Sequence, residues 1–466
     1  MNVCVISKWD CTGGAPQATY RLFRALQKHV HVTYLVNKQT INDKNIHNIT
    51  SYERRKKSYY ESLIQKNYID RNRSLISNTY FTVTSNGADL RSNKYIHEAD
   101  IINLHWVEKF LSLESISYLA SLGKPIVWTL HDERPYTGGC HYTAGCDEFS
   151  KNHCLSCKQL NNDECKLPNA VLKCKEKIVN NSNMTVVSPS NWIAQEASKS
   201  SVFSGKKINV IPNAVDTDVY YPRNQTDVRS RLGISQNAYV ILAGSTDNNE
   251  IRKGYKYYID TLNYCLKNDQ FHEKSNNNQI VVITFGGKTD SEMHKKIMHI
   301  DIGYVSDENV MAEIYSAADI YVITTLEDNL PNTVLESMAC GTSVVGFDTG
   351  GLCDMVVNGV NGILVPKCNA QALSESILML LQHPEKHRQY GRSALNTVRN
   401  GFTQALQSER YLELFKDLKT TENRYTAINE SSIYSCSLQK ACREYLLYRA
   451  GVLIRWILRR LYLIGV

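Results

Sequence analysis

No low-complexity tract interrupts this 466-residue chain, and its 42% hydrophobic and 21% charged residues are ordinary for a folded protein, which excludes disorder as its theme. No internal repeat of fixed short period is present. The opening run MNVCVIS lacks a basic n-region, a long apolar stretch and a small-residue cleavage site, so a cytoplasmic chain is expected. Cysteine is modest, 14 in 466, and a reducing compartment disfavours a fold built on disulfides. The net charge of +7 is no nucleic-acid signature either. Residues 440–466 carry Lys440, Arg443, Arg449, Arg455, Arg459 and Arg460 against Glu444 alone, so +5 of it describes a tail, and no nucleic-acid partner is expected.

What is present is length beyond one core. Domains commonly stop growing near ~250 to 300 residues, so two are expected. Short β-branched runs alternate with helix-length amphipathic stretches, the pattern of parallel sheets. One series of strands covers Val3 to Ser7, Val30 to Val36, Asp100 to Leu104, Pro125 to Leu130 and Met184 to Val187. A second covers Tyr239 to Ala243, Gln279 to Thr284, Ile320 to Thr324, Ser343 to Phe347 and Gly362 to Val365. The Pro- and Asp-rich stretch 211–224 reads as the linker. The expected architecture is α/β: a Rossmann-like domain 1–215 with a Cys-rich loop 138–166, a Rossmann-like domain 216–400, and carboxy-terminal helices 401–466. Two doubly wound parallel-sheet domains of this kind face a central cleft and bind ligand at the carboxyl ends of their strands.

Four stretches carry chemistry. In KWDCTGGAPQATYRLFRAL, Gly13 and Gly14 either let backbone approach an anion at a helix N-terminus or simply make a tight turn. In STDNNEIRKGYKYY, Arg252 and Lys253 either clamp a diphosphate or keep a surface wet. In DIYVITTLEDNLPNTVLESMACG, a polar turn with Glu327, Asp328, Asn329 and Asn332 leads into a helix from about Thr333. That helix places Glu336 to accept hydrogen bonds from a ribose, or merely to favour a helix N-terminal region. VWTLHD ends a strand with His131, and NLHWVE ends another with His105. Either imidazole suits a ligand or a structural hydrogen bond.

Cys140, Cys146, Cys154 and Cys157 stand in C-x5-C-x7-C-x2-C spacing. Structural zinc, unligated thiols and, least favoured, disulfides all fit this pattern. The tail YLLYRAGVLIRWILRRLYLIGV has one apolar and one arginine-bearing face. It is expected to lie on an anionic membrane surface or to dock back on the protein.

From residue 1 to about 400 the order of these features resembles retaining GT-B glycosyltransferases of family 4, particularly bacterial colanic-acid and O-antigen enzymes. The likeness is strongest at LEDNLPNTVLESMACGTSVVGFDTGGLCDMVVNGVNGILVP, which looks like that family's carboxylate-x7-carboxylate block. The resemblance implies a nucleotide-sugar donor, uridine favoured, held by Gly13, Gly14, Arg252, Lys253, the amides of Asn332, Thr333 and Val334, and Glu336. It assigns the sugar-facing roles to His131 and to Asp328, with Glu327 a competitor; His105, capping its own strand, is expected to line the acceptor side. A lipid-linked oligosaccharide acceptor would explain the amphipathic tail and its expected peripheral contact with the inner membrane face, and with no Asp-x-Asp pair in a convincing metal-binding position catalysis is expected to require no cofactor. A nucleotide-sugar 2-epimerase of related fold and a zinc-stabilised membrane-binding protein without turnover are the alternatives.

Overall fold

The computed structural model describes residues 1–49, 64–83, 87–245, 247–287 and 295–420. Seven parallel strands form the first sheet: β1 (Asn2–Trp9), β2 (His31–Lys38), β3 (Ile46–Asn48), β4 (Ile101–Leu104), β5 (Ile126–Thr129), β6 (Met184–Ser188) and β7 (Ile208–Val210), in the spatial order 3-2-1-4-5-6-7. Six more form the second: β8 (Tyr239–Ser245), β9 (Ile280–Gly286), β10 (Met298–Asp301), β11 (Ile320–Ile323), β12 (Ser343–Asp348) and β13 (Gly362–Pro366), in the order 10-9-8-11-12-13. The architecture is therefore two Rossmann-like α/β domains in the GT-B arrangement.

Helices cover both faces of each sheet, so most strand side chains are apolar whichever way they point, successive residues entering opposite cores. Cys4, Ile6, Ile102, Leu104 and Trp128 enter one core, while Val3, Val5, Tyr34, Ile101 and Val127 enter the core on the opposite face. The second sheet divides the same way, with Val240, Leu242 and Val281 on one side and Ile241, Ala243 and Val282 on the other.

The chain order reverses between β1 and β4 in the first sheet and between β8 and β11 in the second. Strand ends diverge at such reversals and leave a crevice. Both reversals carry the candidate residues: Gly13 follows β1, His105 follows β4, Lys253 follows β8 and Asp328 follows β11.

After the second domain the helix Gln404–Thr420 returns to the first, burying Tyr411 and Phe415 beside Val3 and Val5. Each such burial is worth roughly 1.5 to 3 kcal/mol. At the crossing, the Val215 amide donates to Phe402 O at 3.0 Å. Among the described residues no helix is long and apolar enough to cross a membrane. The basic tail and the run YERRKKSYY lie outside the described residues.

Candidate functional site

Charged pairs dominate the second domain's side of the cleft. Lys253 Nζ donates to Asp328 Oδ2 at 2.6 Å, and Arg252 reaches the same oxygen at 3.2 Å while its guanidinium lies 4.2 Å from the Tyr142 ring centroid. Burial alone would raise the Asp328 carboxyl, but the charges of Lys253 and Arg252 and their hydrogen bonds hold it below its ordinary value. The two cations stand where they do because of Gly254. It takes φ +67°, and a Cβ there would sit 1.9 Å from Thr324 O at the end of β11, so only glycine lets the loop approach this closely. A pocket opens beside Lys253, lined by Gly244, Ser245, Asn248, Tyr255, Tyr321 and Thr333.

The helix Asn332–Ala339 brings in Glu336, 5% exposed, whose carboxylate accepts from Tyr315 Oη at 3.2 Å and from Arg21 Nη2 at 2.8 Å. Arg21 belongs to the other domain and also reaches Glu308 at 2.6 Å. Burial would lower the Arg21 guanidinium, but Glu336, Tyr220 and Glu308 hold it above its ordinary value, so it stays charged. Its Nε and Nη1 are buried without a protein partner. The spacing held a signal for this residue: Gly14, Gln17 and Arg21 share one helical face, and Gln17 also donates to Glu308, at 2.6 Å.

Gly13 starts the helix Gly14–Leu26 with φ +97° and makes no side-chain cap, leaving the helix N-terminus to backbone amides. Gly14 O accepts from Asn332 Nδ2 at 2.9 Å, so the two candidate donor loops touch across the cleft. Val334 does not fit its expected part: it is fully buried and its amide is turned back onto Pro331 O at 3.1 Å. The amides of Asn332 and Thr333 are the ones left at that terminus.

Glu327 points away from Asp328 and across to the Cys-rich loop, where the amides of Ala144 and Gly145 each donate to it at 3.0 Å. Those residues have φ +53° and +76°, a concave backbone arrangement suited to an anion. Burial raises the Glu327 carboxyl even so. Glu133 lies nearby and is pushed up to about 8 by burial and then by the Glu327 charge.

On the first domain's side the groups are neutral. His105 Nδ1 lies 2.9 Å from His131 Nε2, and His105 Nε2 lies 2.9 Å from Asn103 Oδ1. Burial pulls His131 down to about 4 and His105 well below its ordinary value. Asp132 turns away from this pair, accepting from Trp106 at 2.8 Å and pairing with His141 at 2.7 Å.

Cys140, Cys146, Cys154 and Cys157 are free, and among the described residues no three His, Cys, Asp or Glu side chains gather as a metal-ligand group. Burial raises the thiols, Cys154 to about 12 and Cys157 to about 11. Packing and backbone hold the loop: Cys154 joins the first domain's core, and a bridge pairs Cys140 with Phe81.

Residues 12–219 match the model of Glycosyltransferase Family 4, and residues 225–397 match that of Glycosyl transferases group 1. Among curated proteins, the chain is 29% identical over 142 residues to the N,N'-diacetylbacillosaminyl-diphospho-undecaprenol alpha-1,3-N-acetylgalactosaminyltransferase of Campylobacter jejuni, covering 28% of this chain and 36% of that one. It is 22% identical over 216 residues to the N-acetyl-alpha-D-glucosaminyl L-malate synthase of Bacillus anthracis, covering 46% and 54%. The chain thus matches about a third to a half of the length of these relatives. Among solved structures, Anabaena HepE in complex with UDP and glucose overlays with a TM-score of 0.58 at 16% identity, over 89% of this chain and 99% of that one. With one model on each domain and the fold shared along most of its length, the chain belongs to the GT-B glycosyltransferases of family 4, group 1.

Proposed function

We propose that the protein transfers a sugar, with retention of anomeric configuration, from a UDP-sugar to a lipid-linked glycan on the inner face of a bacterial membrane, in O-antigen, capsule or exopolysaccharide synthesis. The observation that carries this reading is the meeting of the two strand-order reversals, with a cation pair and two carboxylates on one side and uncharged imidazoles on the other. Glu336 holds the donor ribose. Lys253 and Arg252 exchange Asp328 for the diphosphate and stabilise the charge that develops as the sugar leaves, the kind of preorganised electrostatic help that dominates many enzymes. Asp328, released, faces the sugar with His131, while Glu327 stays with the Cys-rich loop. Because two protein cations meet the diphosphate, the reading needs no divalent ion.

The lipid-linked acceptor is supported by the Campylobacter jejuni relative, whose name specifies a diphospho-undecaprenol acceptor, and the uridine donor by the UDP in Anabaena HepE. The test is release of UDP from UDP-sugars by the purified chain, with and without bacterial lipid-linked oligosaccharide. Acceptor-dependent release that survives chelator is the expected result. Release that chelator abolishes overturns the metal-free mechanism, and no release with any nucleotide sugar overturns the transferase reading.

A further inference from the structure

The hydrogen bonds around His131 determine which of its ring nitrogens carries the proton. Two routes lead to the same answer. On the first, Asn103 Nδ2 donates to Val127 O at 3.0 Å and to Thr129 Oγ1 at 3.2 Å, which fixes the amide so that Oδ1 is the atom facing His105. An amide oxygen only accepts, so His105 Nε2 must carry the hydrogen across the 2.9 Å contact. A neutral imidazole has one N–H, which leaves His105 Nδ1 as an acceptor. Its 2.9 Å partner, His131 Nε2, is then the donor.

The second route does not pass through His105. The Thr19 hydroxyl gives its only hydrogen to Ala15 O at 2.8 Å, so its oxygen can only accept from His131 Nε2, 3.5 Å away. The His105 contact requires a hydrogen on Nε2, and the Thr19 oxygen, with no hydrogen of its own to give, is placed to face one. The remaining nitrogen, Nδ1, has no protein partner among the described residues and is not among the buried unpartnered atoms. Burial keeps both rings neutral near pH 7.

We propose that Asn103, His105 and Thr19 are positioning residues that lock His131 as the Nε2–H tautomer and present a bare Nδ1 lone pair to the cleft, making the site selective for a donor sugar whose facing group is a hydroxyl over one whose facing group is a carboxylate. A hydroxyl donates to that lone pair. A carboxylate meets it with a second lone pair, in a setting where an unmade buried hydrogen bond is costly. The selectivity rests on the donor reading above; the tautomer does not.

The first experiment is a long-range proton–nitrogen NMR spectrum of the full chain labelled at histidine nitrogens, with His131 assigned from a His131→Gln spectrum. Between pH 6 and 8 the His131 ring is expected to show a protonated Nε2 and an unprotonated Nδ1. A hydrogen on Nδ1, alone or as imidazolium, overturns the proposal and needs no variant to be read. Thr19→Val, which keeps the shape and removes one acceptor, is expected to leave the tautomer in place because His105 still demands it; a mixture of tautomers in that variant contradicts the lock. The second experiment compares binding of UDP-glucose and UDP-glucuronate, which differ by a hydroxymethyl and a carboxylate on the ring. Tighter binding of UDP-glucose by at least about tenfold, narrowed in His131→Gln, is expected. Equal binding of the two overturns the selectivity. Binding of neither overturns the donor reading, while the ring nitrogens still decide the tautomer.

Discussion

The two walls of the cleft use opposite chemistry on the same scaffold. The second domain meets the ligand space with full charges in pairs, Lys253 and Arg252 against Asp328, whereas the first meets it with imidazoles that burial keeps uncharged. Charge belongs where a diphosphate must be held and where negative charge grows. Neutral, directional groups belong where a sugar must be oriented without titrating. Arg21 is the exception, a cation from the first domain sunk into the carboxylates of the second, and it ties the two walls together.

Removing that exception has the largest expected effect. Arg21→Met leaves Glu336 and Glu308 without their cation, and breaking a buried pair in this way costs about 3 to 5 kcal/mol. A corresponding drop in thermal stability is expected in the full chain, with Glu336→Gln recovering part of it in the double variant. Full stability in Arg21→Met would mean that the walls are not coupled through this residue.

The neutral wall is tested by pH. His131 has a folded pKa of about 4, below the ordinary 6.5, so the unfolded state binds its proton first as the solution is acidified. The stability of the neutral ring is fully present above about 6.5, declines as pH falls, and levels off below about 4. The shift amounts to roughly 3 kcal/mol across that window. His131→Gln should flatten the slope between pH 6.5 and 4 in thermal unfolding; an unchanged slope would show that the ring titrates normally.

On the charged wall, Lys253→Met should lower transfer by about a hundredfold, the cost of losing one preorganised donor to developing charge. It should affect turnover more than unfolding, since Arg252 still pairs with Asp328. The smallest effect is expected at Gly145, whose φ of +76° suits glycine and whose Cβ would meet nothing within 4 Å. Gly145→Ala should cost about 1 to 2 kcal/mol of stability by strain alone, and a much larger loss would point to a wider role for the grip on Glu327.

How much of this was legible in the sequence follows from the range of the interactions involved. The ten strands expected from β-branched runs are all present, because each is buried on both faces and reads as an apolar segment. The three missed, β3, β7 and β10, are three or four residues long, and β7 and β10 are only partly buried, so they carry little pattern. His131, Lys253, Asp328 and Glu336 were visible because they follow strand ends, a relation local to the chain. Arg21, Tyr142, Asn103 and Thr19 were not singled out. Helical spacing sets Arg21 on the face of Gly14 and Gln17, but the partners that give these residues their meaning, up to 315 residues away, appear only in the packed domains. Cysteine spacing likewise does not say where thiols point: Cys154 has φ +57° and turns into the core.

The most direct test of the central claim, a nucleotide-diphosphate site gripped by the charged wall, is a thermal-shift comparison of the full chain with UDP, GDP, ADP and dTDP, repeated in Glu336→Gln. Nucleotide at about 100 times its dissociation constant should stabilise the wild type by roughly 2.7 kcal/mol. The account predicts that UDP produces this shift and that Glu336→Gln loses most of it. No shift with any of the four nucleotides, or an undiminished shift in the variant, would contradict it.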